Sequence, residues 1–204
     1  MHWLGTEVDL TTQDLGTLAL TRPLLDRLRL AEIVDRHLPC DPQQEYSYGR
    51  VLSALLAARL DRPVALMNVV EWAGDSGVEF LFGIPPDKLN DDRLGRALDA
   101  FFQARHSIAA AVACEAMRWA EVQPLRIHFD PTDVTFAGRY EASEPRTEWL
   151  GFDDRLPPAH LVRGYASGAV SVQVGMAAFV DDFGALPVAM HCYDGNRNGH
   201  TGIR

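Results

Sequence analysis

The chain has 204 residues, 47% hydrophobic and 23% charged, with a formal net charge of −9. This is enough apolar material for one ordinary domain or two small ones, and the negative balance excludes a generally basic nucleic-acid binder, because DNA affinity relies on Lys and Arg neutralising phosphates. With no apolar run of about 18 residues, and with an N-terminus, Met1-His2-Trp3-Leu4-Gly5-Thr6-Glu7, that lacks the basic start and apolar centre of a secretory signal, a cytoplasmic protein with no membrane partner is expected.

The chain changes character near Pro124. Upstream, apolar residues recur at helical spacing; downstream they alternate at period two between Gly and Pro punctuation. The reading is α+β, with a helical domain over 1–120 and a sheet-forming region over 121–204.

Thr21 is a candidate cap for a first helix with Pro23 in its first turn and Leu24, Leu28, Ala31 and Val34 or Leu38 along one side, stopped by Pro39. Its arginines, from Arg22 to Arg36, are interleaved with Asp26, Glu32 and Asp35, which reads as a solvated helix face rather than a phosphate-binding stripe. Ser47 caps a second helix with Val51, Leu52, Leu55, Leu56 and Leu60 inward, and Arg62-Pro63 breaks it before a third helix that runs to about Trp72. The first two helices can be drawn as a helix-turn-helix. Their connection is longer than that motif uses, and the second helix offers only Arg50 and Arg59 as cations, so helix packing is the better account.

Asn90-Asp91-Asp92 is the strongest helix start, since an Asn cap followed by two acids suits the positive end of the helix dipole. The helix it opens carries Leu94, Leu98, Phe101, Phe102, Ile108, Ala109, Val112, Ala116 and Trp119 along one side, with His106-Ser107 as a candidate break. Beyond it, Leu125, Ile127 and Phe129 alternate with Arg126, His128 and Asp130, a strand that ends in a carboxylate; Val134 and Phe136 continue it after an irregularity at Pro131. Glu141 to Pro158 reads as a surface loop. A hairpin follows, from about Val170 to Val180 and from Leu186 to Tyr193, turning at Asp181-Asp182-Phe183-Gly184.

The three cysteines, Cys40, Cys114 and Cys192, form no Cys-x-x-Cys pair and read as reduced, buried thiols. His191-Cys192 with His200 invites a zinc site, but neighbouring strand residues point to opposite faces and do not chelate together easily.

The segment Asp130-Pro131-Thr132-Asp133-Val134-Thr135-Phe136-Ala137-Gly138-Arg139-Tyr140 resembles the signature at the first acidic strand of insertion-sequence DDE transposases. Gly164-Tyr165, the hairpin through Val180-Asp181-Asp182-Phe183-Gly184-Ala185-Leu186-Pro187, and Tyr193-Asp194-Gly195-Asn196 are similar to the following blocks, in the same order. Leu89-Asn90-Asp91-Asp92-Arg93-Leu94-Gly95-Arg96-Ala97-Leu98-Asp99 is similar to a motif of the helical domain that precedes the core in one branch of these enzymes.

The resemblance implies the opening strands of a ribonuclease H-like mixed sheet, in a complete enzyme whose two Asp and one Glu hold Mg2+ or Mn2+ for DNA cleavage and strand transfer. It maps Asp130 onto the first of these acids, as catalytic residue and metal ligand. The second Asp and the Glu are expected later than Arg204, so the chain is expected to be a fragment of such an enzyme, inactive alone, with the element's DNA ends as partner of the whole. Asp133 falls on a variable position of the signature, Asp181 and Asp182 read as turn residues, and Asp194 as a strand-end cap. Ala166-Ser167-Gly168-Ala169-Val170 stands where the family carries a basic and polar stretch. The alternative is a non-enzymatic regulator that binds DNA or self-associates through a free sheet edge.

Overall fold

The computed structural model describes residues 2–3, 6–7, 12–13, 15–39, 42–121, 126–137, 159–163, 170–181 and 184–195. The chain divides into two compact units, Met1–Ala100 and Phe101–Arg204. A helical first part is followed by an antiparallel sheet, so the fold class is α+β, as the change in periodicity at Pro124 implies.

In the first unit a short ladder of β1 (His2–Trp3) and β2 (Thr6–Glu7) precedes the helices. Where one helix was expected from Thr21 to Leu38, two form: α1 (Leu18–Arg27) and α2 (Leu30–His37). The break is at Arg29, whose φ of 52° is left-handed and cannot continue a right-handed helix. Thr21 is not a cap; it is buried within α1, and Thr17 precedes the first turn. The break resets the helical phase, so Leu18, Leu25, Ile33 and Val34 are buried while Leu24, expected inward, is exposed.

Ser47 does cap α3 (Tyr48–Asp61), its Oγ accepting from the Arg50 amide at 3.3 Å. The buried side of α3 is built of small residues, Gly49, Ala54, Ala57 and Ala58, with Val51 and Leu55, whereas Leu56 and Leu60 face outward. Small side chains let α2 come close: a Cβ on Gly49 would lie 2.2 Å from the Ala31 carbonyl oxygen. After a 3-10 turn (Leu66–Asn68), α4 (Val69–Asp75) contributes Trp72, the largest fully buried side chain, and α5 (Val78–Phe82) contributes Val78 and Phe82. Together with Ile84, Leu89, Leu94 and Ala97 they form one core. Trp72 keeps its indole N–H satisfied through Asp61 Oδ2 at 3.0 Å.

Asn90 caps α6 (Asp91–Ala120), its Oδ1 accepting from the Arg93 amide at 2.9 Å. The expected interruption of this helix falls at Ala104 (φ −118°, ψ 16°), two residues before His106.

The second unit holds β3 (Arg126–Thr135), β4 (Val162–Arg163), β5 (Val170–Asp181) and β6 (Gly184–Asp194). β5 is central, pairing with β3 along its length and with β6 on the other side; every described pairing is antiparallel. The β5–β6 hairpin is as expected, with a bulge between Ala177 and Ala178 where Pro187, which has no amide hydrogen, enters the ladder. The expected loop from Glu141 to Pro158 lies outside the described residues.

Candidate functional site

Asp130 is exposed and pairs with Met176 of β5, which in turn pairs with Met190 of β6. Partners in an antiparallel ladder share a face, so a row of Asp130, Met176 and Met190 crosses the sheet, both methionines about half exposed. The continuation past Pro131 is as expected, but without the expected irregularity: β3 pairs with β5 residue for residue from Arg126 to Thr135, so Asp130 is its fifth residue of ten and not at its end. Pro131 is tolerated because the only described partner of β3 is β5, and a residue on a sheet edge can point its missing donor outward.

The other acids do not join Asp130. Asp133 is exposed on the opposite face of the same strand, by the alternation of side chains. Asp194 is opposite Val172, four residues along β5 from the partner of Asp130, about 13 Å at strand rise. It is 3% exposed, and its Oδ1 accepts from the His160 amide at 2.7 Å, the role of a strand-end cap. Asp181 closes β5 opposite Gly184, and Asp182 lies outside the described residues. Among the described residues no group of three His, Cys, Asp or Glu side chains could hold a metal ion. One exposed carboxylate supplies too few ligands for a pair of hydrated divalent ions, so the described residues do not form the two-metal cage that the resemblance implies, and no chemical step through it follows from this geometry.

Cys114 and Cys192 are exposed, which corrects the expectation of buried thiols; Cys40 lies outside the described residues. Partial desolvation raises the Cys192 thiol above its ordinary range, with Arg105 acting in the other direction. His191 turns away from its neighbour and stacks on His106 at 5.6 Å between ring centroids, a pairing that the zinc reading of His191-Cys192 did not anticipate. His200 lies outside the described residues.

In the helical unit, Arg22 pairs with Asp26 at 2.8 Å and Arg29 with Glu32 at 2.5 Å, so these arginines are laced to their own helix neighbours as the interleaved sequence suggests. Arg22 and Arg50 also do something not legible in the sequence: they donate to the carbonyls of Leu81, Phe82 and Gly83 and so cap the C-terminal end of α5. A family model described as "Domain of unknown function (DUF4277)" matches residues 10–113. The chain belongs to the DUF4277 family. No curated protein and no solved structure matches it. The DUF4277 match covers α1 to α5 and ends inside α6, so the Arg50 caps and the Asn90 cap fall within it, and Asp130 with β3 to β6 falls outside it. Among the described residues, no helix is long and apolar enough to cross a membrane.

Proposed function

We propose that the chain is part of a cut-and-paste DNA transposase of the DDE type, acting in the cytoplasm on the DNA ends of its element, with the helical unit ahead of the opening strands of a ribonuclease H-like core. In this reading Asp130 is the first of three carboxylates that hold two Mg2+ or Mn2+ ions. The chain alone is inactive, because two ions that activate an attacking oxygen and steady a leaving one need more ligands than one acid provides.

The observation that carries the reading is the position of Asp130. It is an exposed carboxylate on a strand paired on one side only among the described residues, so a further strand bearing a second acid has room to dock beside it. The order of the elements also supports it: helices, then β3, then the β5–β6 hairpin follow the order of the signature blocks.

The decisive experiment is an excision assay on the gene product that carries this sequence. Asp130→Asn is expected to lower excision at least about a hundredfold, since metal-held charge stabilisation is worth several kcal/mol, while Asp133→Asn leaves it within a factor of a few. Excision that survives Asp130→Asn overturns the assignment.

A second reading, a self-associating regulator, is favoured by one feature: β3 leaves an edge unpaired among the described residues and exposes Ile127 and Val134. Light scattering tests it together with a salt-dependent DNA shift assay. A strictly monomeric chain without DNA affinity at low salt removes it.

A further inference from the structure

The helical unit contains a cleft of about 370 Å³ between α1, the start of α2, α3 and the end of α5. That size suits a small ligand. Its polar lining is Arg22, Asp26, Arg29, Glu32, Arg50 and Ser53, three cations against two acids. Both acids are held in ion pairs, with side chains more than half exposed, so they stand at the rim.

Deeper in, only donors are left over. Arg50 gives Nη2 to the carbonyls of Phe82 (2.8 Å) and Gly83 (3.0 Å), and its Nε and Nη1 donate to no described residue. Arg22 uses Nε on Asp26 and Nη1 on Leu81, leaving Nη2 without a partner among the described residues. Ser53, one turn beyond Arg50 on the same face of α3, is 5% exposed, and its Oγ has no hydrogen-bond partner among the described residues. A buried hydroxyl without a partner is costly, and here it lines a cleft beside two guanidiniums pinned in place by the end of α5. The carbonyls of Leu81, Phe82 and Gly83 already accept from the arginines, and the remaining guanidinium N–H groups are donors only, so a ligand that satisfies them must bring acceptors. Three donor groups from separate residues, two of them cationic forks, match the oxygens of a tetrahedral dianion.

We propose that this cleft binds a phosphate group, with Ser53, Arg50 and Arg22 as its donors. The phosphate is carried either by a small molecule or by a DNA 5′ end. The proposal uses nothing of Asp130 or the sheet, so it stands or falls separately from the transposase reading.

Amide NMR of the chain titrated with inorganic phosphate tests it. Saturable shifts are expected at Ser53, Leu81 and Gly83. Ser53→Ala is expected to weaken binding about tenfold, equivalent to about 1.4 kcal/mol, without lowering Tm, since it removes a hydroxyl that bonds nothing in the free protein. Arg22→Gln is the second variant, expected to weaken binding comparably. Parallel titrations with a 5′-phosphorylated and a 5′-hydroxyl oligonucleotide identify the source. Tighter binding of the phosphorylated strand assigns the site to a DNA end, and no gain over inorganic phosphate assigns it to a small molecule. Absence of shifts with any of the three probes, or shifts that both variants leave unchanged, overturns the proposal.

Discussion

The helical unit and the sheet unit bury their apolar residues to very different degrees. In the first, Trp72, Ile84, Leu89, Leu94, Val51 and Val69 are all at most 2% exposed and share one core. In the second, Ile127 is 64% exposed, and Met176, Met190 and Val134 are each more than 40% exposed. A sheet face with that much apolar surface gains little from the hydrophobic effect by itself. The helical unit therefore carries its own core, whereas in the sheet Val162 and Ala178 are buried but Ile127, Val134, Met176 and Met190 contribute only when something covers them. The same contrast separates the two candidate sites: the arginines and serine of the cleft all come from the helical unit, whereas Asp130 has no second acid beside it among the described residues.

The comparison breaks most visibly at Trp72. Trp72→Ala is expected to cost about 3–5 kcal/mol, the range for emptying a fully buried large aromatic site, and to abolish cooperative thermal unfolding of the helical signal followed by circular dichroism. If Trp72→Ala unfolds no more easily than wild type, the single core is not what holds the helices. Gly49→Ala comes next. Its Cβ would meet the Ala31 backbone at 2.2 Å, and backbone cannot swing aside as a side chain does. A loss of about 1–3 kcal/mol, typical of overpacking, is expected in denaturant midpoints, whereas Gly74→Ala, where a Cβ meets nothing within 4 Å, serves as the tolerant control.

How much of this was legible in the sequence follows the kind of signal each residue carries. Two of the three expected caps were legible: Ser47 and Asn90 accept from the amides three residues on, because capping is local chemistry written in a few adjacent letters, whereas Thr21 lies inside α1. The hairpin was legible for the same reason, since strict alternation leaves little choice of face. The buried side of α3 was legible in part. Val51 and Leu55 are inward as expected and Leu52 packs against the core, yet Ala54, Ala57 and Ala58 are buried while Leu56 and Leu60 are exposed. Close approach of neighbouring helices selects small residues there, and hydrophobicity alone does not encode the approach distance. The break at Arg29 was missed too, because a left-handed φ at an arginine has no compositional marker as it would at glycine or asparagine. For the candidate site, the resemblance singled out Asp130, and alternation gave a strand running on past Pro131; the regular pairing through that proline was not legible, because it depends on which edge of β3 is left free. Of the cleft's donors, the role of Arg50 carried no signal because the carbonyls it meets, at Phe82 and Gly83, are more than 30 residues away, and that of Ser53 because its hydroxyl has no hydrogen-bond partner among the described residues.

A smaller effect, confined to the helical unit, depends on pH. Hydrogen bonds from Trp72 and then from Thr17 hold the Asp61 carboxyl below its ordinary 3.8, against the opposing effect of partial burial. A carboxylate with a lowered folded-state pKa contributes stability that is full above the unfolded pKa and is lost as pH falls through the folded one. Asp61→Ala is therefore expected to destabilise by about 1–2 kcal/mol at pH 7, chiefly by leaving the buried Trp72 N–H without its acceptor. The difference from wild type should hold down to about pH 5 and narrow below about pH 4. Urea unfolding at a series of pH values measures this, and a gap that instead widens in acid contradicts the assignment of sign.

The smallest expected effect sharpens the contrast from the other side. Met176→Ser and Met190→Ser remove apolar side chains from the face of the sheet that carries Asp130, but both are about half exposed and so lose little burial. Each is expected to change stability of the isolated chain by no more than about 0.5 kcal/mol, the usual range for surface substitutions. In the complete transposase proposed above, DNA or a further layer packed on this face would make contacts that the same two changes remove, so the loss is expected in excision rather than in unfolding. Equal and large destabilisation of the isolated chain by both changes would mean that this face is already covered, and the sheet would then be as self-sufficient as the helices.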